Sequence, residues 1–190
     1  MPGTAIGTQM YEGFPGTYSR NDPAVHIRAG LVRTTDTYNI NFGDPVVLIQ
    51  NATGGLYTQA AGFIVGGGSF VFAPNGTSGF AGFAVREVKS FETYVSATLG
   101  YYAPGAPADV LTQGNIIVVL KNPQAASVLA GGPLYLRVST NGSYPSAAVG
   151  DLEPAADGAH TVQLTNCMIT TGIVDANNSC EITVLTRNIP

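Results

Sequence analysis

Glycine and proline punctuate this 190-residue chain from end to end, 24 of one and 12 of the other, leaving few uninterrupted stretches long enough for a helix. Between the breaks the segments are rich in Val, Ile, Tyr, Phe and Thr, which suit a pleated, half-buried surface. Short strands joined by turns are the expected result. Candidate strands run over 27–34, 45–50, 62–72, 82–88, 115–121, 134–139, 161–170 and 180–187. Along 161–166, Val162, Leu164 and Asn166 alternate with Thr161, Gln163 and Thr165, as on a strand with one face in a core and the other in water. The run Ile116 to Leu120 is continuously apolar and is read as covered on both faces. A helical turn or two is expected only at 123–130, with Asn122 as cap, Pro123 in the first turn and Gly131 as the stop. The triplet Gly66-Gly67-Gly68 lacks the Lys and Ser/Thr of a phosphate loop and reads as a bend or bulge in a long strand.

Eight or so strands in one domain must manage their edges, so the fold class is all-β: a single small β-barrel or a jelly-roll-like sandwich. Residues 24–190 form that β domain. Residues 1–23, with Tyr11, Phe14 and Tyr18 set among Pro2, Gly3, Gly7, Gly13, Pro15 and Gly16, suit an extended N-terminal arm. Such an arm is ordered by contact with another chain or by folding back on its own domain.

Charge narrows the function. Charged residues are 11% of the chain, against about 25% for an ordinary domain. A surface this poor in charge suits a component of an assembly, buried against other subunits, or a weakly charged extracellular β protein. The net charge of −4 and the scattered Lys and Arg give no basic stripe, so no direct nucleic-acid partner is expected. No segment approaches the roughly 20 apolar residues of a membrane helix, and the N-terminus has no secretory pattern.

The search for chemistry returns little, and neither a cofactor nor a metal is expected. His26 and His160 each stand alone, without a second ligand at metal-site spacing. Asp151, Glu153 and Asp157 share a Pro- and Ala-rich loop that lacks the ligand density of a calcium site and reads as solvated. Arg86, Glu87 and Lys89 alternate and suit cross-strand pairing. Asn51, Asn75, Asn141 and Asn177 open acceptor patterns for glycosylation but read as turns. A hairpin turn centred on 175–178 sets Cys180 opposite about Val174, which leaves Cys167 and Cys180 unpaired unless the register differs.

Read in order, the segments YEGFPGTYSRNDP, NFGDPVVLIQ, GFAGFAVREVKSF, YYAPGAPADVLTQGNIIVVL, GGPLYLRVSTNG and TNCMITTGIVDANNSCEITVLTRN resemble the cement or decoration proteins of tailed bacteriophages. Together they cover most of the chain. The resemblance implies a non-enzymatic homodimer or homotrimer on the capsid exterior of the virion, assembled in the host cytoplasm. Its partner would be the major capsid protein, whose subunits it bridges in the expanded head. Tyr11, Phe14, Tyr18 and Arg20 of the arm, with Tyr101 and Tyr102 as a second patch, are the expected capsid or oligomer contacts, since aromatics and Arg anchor interfaces. For each tyrosine, ordinary packing within the barrel is the alternative. Competing readings are a phage tail or receptor-recognition module, with contacts in the loops at 73–80 and 151–160, and a barrel enclosing an apolar ligand. Phe63, Phe70, Phe72, Phe80 and Phe83 would line such a barrel, although a filled core accounts for them better. An enzyme has no motif in its favour.

Overall fold

The computed structural model describes residues 13–18, 25–49, 57–68, 78–86 and 100–186. Its strands are β1 His26–Leu31, β2 Ile40–Asn41, β3 Pro45–Ile49, β4 Tyr57–Gln59, β5 Ser78–Ala84, β6 Tyr101–Tyr102, β7 Pro107–Val119, β8 Pro133–Arg137, β9 Leu152–Glu153, β10 Thr161–Ile169 and β11 Ser179–Val184. Among the described residues one α-helix, α1 Ala60–Val65, follows β4 directly, and a 3-10 turn, Gly158–His160, precedes β10. The chain is predominantly β, as its punctuation and residue types lead one to expect.

The organising element is β7, at 13 residues the longest strand described. Its first part pairs with β1 on one side and β5 on the other, and its second part, from Gly114 onward, pairs with β11. Two halves therefore share one strand: β4-β3-β5-β7-β1 and β7-β11-β10-β8-β9. Each curls until its ends meet through a single parallel bridge. Val32, just past β1, bridges Tyr57, with the Arg33 N–H donating to the Tyr57 carbonyl at 2.8 Å. Leu120 bridges Leu152, and the Lys121 N–H donates to the Leu152 carbonyl at 2.7 Å. This corrects the expected single barrel or jelly roll: the sheet forms two curled, half-barrel-like parts. The short stretch read as a strand at 115–121 is the second half of β7. Pro107, Asp109, Gln113 and Gly114 interrupt the apolar pattern upstream and conceal the first half.

Alternation along β3 explains how the halves unite. Val47 joins the main core with Phe80, Leu111, Ile116, Leu136, Leu164 and Ile182, drawn from both halves. Val46 and Leu48 enter a second cluster with Tyr57, Ala81, Tyr102 and Val110. Both faces of β3 are thus covered, and each large side chain buried there contributes about 1.5–3 kcal/mol. The two-sided burial expected of 116–120 holds only in part: Ile116, Val118 and Leu120 point into the main core and Ile117, on the other face, is 9% exposed, but Val119 on that same face is 37% exposed.

Three local expectations are corrected. The strand proposed at 62–72 begins as α1, with Ala60 buried and Phe63 and Ile64 packed on the main core at helical spacing. The glycine triplet ends that helix: the N–H groups of Gly66, Gly67 and Gly68 donate to the carbonyls of Gly62, Ile64 and Phe63, and Gly67 takes φ +87°. Residues 69–72 lie outside the described part. The helix expected at 123–130 does not form. The Asn122 side chain takes both backbone groups of Ala126, accepting its N–H at 2.8 Å and donating to its carbonyl at 2.7 Å, and so replaces a helical turn.

The third correction is the acidic loop. Glu153 is 1% exposed and receives a two-pronged contact from Arg137, itself fully buried: Nε meets Oε1 and Nη2 lies 3.0 Å from Oε2. Arg137 Nη2 also reaches Asp157 Oδ2 at 2.9 Å. The Asn141 amide donates to both oxygens of Asp157, at 2.9 and 3.0 Å, and these donors with Arg137 hold the Asp157 carboxyl below its usual range. Two of the three carboxylates read as solvated thus complete an ion triad around one arginine. Cys167 and Cys180 are buried and form no disulfide, opposite Val184 and Val118 respectively. The register differs from the expected one, yet the thiols stay apart. Burial pushes the Cys167 thiol far above its ordinary value.

Candidate partner-binding surface

The described part of the arm, 13–18, is a turn docked on β7. Phe14, Pro15, Gly16 and Thr17 form a tight turn closed by the Thr17 N–H on the Phe14 carbonyl at 3.0 Å, with Pro second and Gly16 third at φ +81°. That is the residue order of a type II turn. The turn then pairs with the β7 edge past the reach of β1. Gly16 N–H donates to Ile117 O at 2.8 Å, Ile117 N–H to Thr17 O at 2.9 Å, and Tyr18 bridges Ile116. Arg86 N–H donates to Gly16 O at 2.8 Å, tying the turn to the end of β5 as well. Only glycine fits at position 16: a Cβ there would stand 2.8 Å from both Arg86 N and Phe42 Cβ.

This docking aims Phe14 outward, where it is 67% exposed, the largest value among the described large apolar side chains. The Arg86 guanidinium carbon lies 4.8 Å from the Phe14 ring centre and 5.8 Å from that of Phe42. Phe42 in turn packs edge-on against Tyr102, with ring centres 5.3 Å apart. Phe14 of one expected patch and Tyr102 of the other are therefore linked through Arg86 and Phe42, neither of which the sequence marks for an interface.

The individual residues fare differently. Tyr18 is half-buried against the main core. Tyr101 is half-buried and pairs with Asn41. Tyr102 is 1% exposed and donates its hydroxyl to the Val85 carbonyl at 2.6 Å, so it takes the packing role and supports Phe42 from beneath. Tyr11 and Arg20 lie outside the described residues. Of the phenylalanines considered for a ligand cavity, Phe80 and Phe83 fill the core edge-to-face with centres 5.3 Å apart, and Phe63 packs on the same cluster. Phe70 and Phe72 are outside the described part. Among the described residues Arg86 makes no ion pair, and Glu87 and Lys89, the other members of the expected cross-strand set, lie outside the described part.

Among the described residues no three His, Cys, Asp or Glu side chains are grouped to hold a metal ion, and no described helix is long and apolar enough to cross a membrane. What the described residues do assemble is a cluster of Phe14, Arg86 and Phe42 over Tyr102 on a β scaffold. Residues 1–185 match the family described as structural cement protein (E217 gp24/Pam3 gp6), and the chain belongs to this phage cement family. It is accordingly a capsid-associated, non-enzymatic structural protein of the virion. The fold is also similar to a chain in the solved structure of the capsid of Myoviridae phage XM1, with a TM-score of 0.56 and 15% identity over 97% of this chain and 98% of that one. No curated protein matches the sequence.

Proposed function

We propose that this protein sits on the outside of the capsid and stabilises the expanded head by bridging neighbouring major capsid protein subunits, acting as a homodimer or homotrimer after assembly in the host cytoplasm. The observation that carries the reading, beside family membership, is the turn at 13–18: clamped to β7 by backbone bonds, it presents Phe14 beside Arg86 on a rigid base. Tyr11, Tyr18, Arg20, Tyr101 and Tyr102 are assigned to the same contact, with Tyr18 half-buried on the core and Tyr102 packed against Phe42. The likeness to a phage capsid chain supports a place in the head.

The mechanism is differential affinity. A protein that binds the expanded lattice better than the precursor shifts the equilibrium toward expansion by that preference alone. Repetition across the shell multiplies a modest contribution at each site. Replacing Tyr11 and Phe14 together by Ala is expected to leave the domain folded, by circular dichroism and melting temperature, and to weaken attachment to expanded capsids by roughly 10-fold or more. Attachment at wild-type strength would remove the arm from the contact.

A further inference from the structure

We infer that Arg86 is a preset receptor for a carboxylate of the capsid lattice, and that the arm residue Phe14 holds it ready. The inference rests on the cement reading and assigns the chemistry of its contact. The two described buried or surface arginines best fixed by their surroundings make the contrast. Arg137 is enclosed in the core and its fork is taken by Glu153 and Asp157. Arg86 is exposed, and among the described residues no carboxylate lies within ion-pair distance of it.

Its position is nevertheless restricted. The backbone N–H is tied to Gly16 O at 2.8 Å, and the guanidinium stands over two aromatic rings, at 4.8 Å from the centre of Phe14 and 5.8 Å from that of Phe42. A guanidinium has five N–H donors in its plane and no acceptor. Neither hydrocarbon ring offers an oxygen acceptor to those donors, so they remain for a planar anion, and a carboxylate matches them two at a time. Holding the side chain by rings lowers the entropy lost on binding. A second copy of this chain is the weaker occupant, because each copy carries a net charge of −4 and their approach is opposed at long range.

The test is the affinity of full-length protein for expanded, decoration-free capsids, measured by co-sedimentation at several salt concentrations, for wild type, Arg86→Gln, Arg86→Lys and Phe14→Ala. Arg86→Gln is expected to lose about 30-fold or more in affinity and to flatten the salt dependence. Arg86→Lys keeps the charge without the fork and should fall between. Phe14→Ala should weaken binding while retaining the salt dependence, which separates ion pairing from loss of an aromatic contact. Arg86→Gln binding with wild-type affinity and salt response would overturn the assignment and leave the cement reading intact. So would a change in the mass of the free protein with unchanged capsid affinity, which would make this a contact between copies. Failure of wild type itself to bind would overturn both.

Discussion

Arg137→Met is expected to destabilise the protein by about 3–5 kcal/mol, lowering its melting temperature by roughly 6–20 °C. The loss of one attractive pair is the smaller part of this effect. Glu153, 1% exposed on β9, would keep its charge without the fork that now satisfies both its oxygens. An isolated buried carboxylate costs several kcal/mol, or must take up a proton. Removing the charge from both sides should therefore restore much of the loss, and Arg137→Met with Glu153→Leu is expected to be more stable than Arg137→Met alone. A double variant no better than the single one would contradict this view of the triad. The pH dependence follows from Asp157, whose carboxyl is held below its usual range by Asn141 and Arg137. The unfolded chain then binds the proton more readily than the folded one. Asp157 contributes stability that is present above the ordinary carboxylate range and lost as pH falls through its lowered folded value. Asp157→Asn should remove that part of the acid sensitivity, read from melting temperatures across the acid range.

Gly82→Ala is expected to cost at least about 3 kcal/mol and to loosen the joint between β5 and β7. Gly82 adopts φ +153°, where an L side chain is strained, and a Cβ would fall 1.9 Å from the Leu111 carbonyl oxygen and 2.9 Å from its carbon. Backbone cannot yield as the tip of a flexible side chain can. The register of β3 against β5 shifts between Val46 and Val47, beside the Val46 to Gly82 pairing, so the glycine belongs to an irregularity that brings β5 close to its neighbour. The control is Gly142→Ala, where nothing lies within 4 Å of the added carbon and φ is ordinary. That change should alter stability by no more than about 0.5 kcal/mol. Equal denaturation midpoints for the two variants would show that the close approach at Gly82 does not constrain the sheet.

The elements visible in the sequence are those whose pattern is local. The two-sided burial of 116–118 is written in an unbroken apolar run, and the Pro-Gly at 15–16 is a turn signal that states its own geometry. The missed features depend on distant partners. Arg137 lies in β8 among Leu134, Tyr135 and Leu136, and nothing in that string says that strand pairing brings Glu153 and Asp157 to it. Helix α1 was hidden because Gly62 and the 66–68 triplet resemble strand punctuation. In the fold, Gly62 clears the Tyr38 ring and the triplet receives the end of the helix. Half of the candidate surface was equally out of reach. Phe14 is legible as an aromatic on an arm, but Phe42 and Arg86 join it only because the turn at 13–18 bonds both to the second part of β7 and to Arg86 just past β5.

The central claim is preference for one state of the shell. The direct measurement is co-sedimentation of the purified protein with expanded, decoration-free capsids and, in parallel, with unexpanded shells. Saturable binding at a fixed ratio to the major capsid protein on expanded capsids, and much weaker binding on unexpanded ones, is the predicted result. Equal binding to both forms, or none to either, would contradict it.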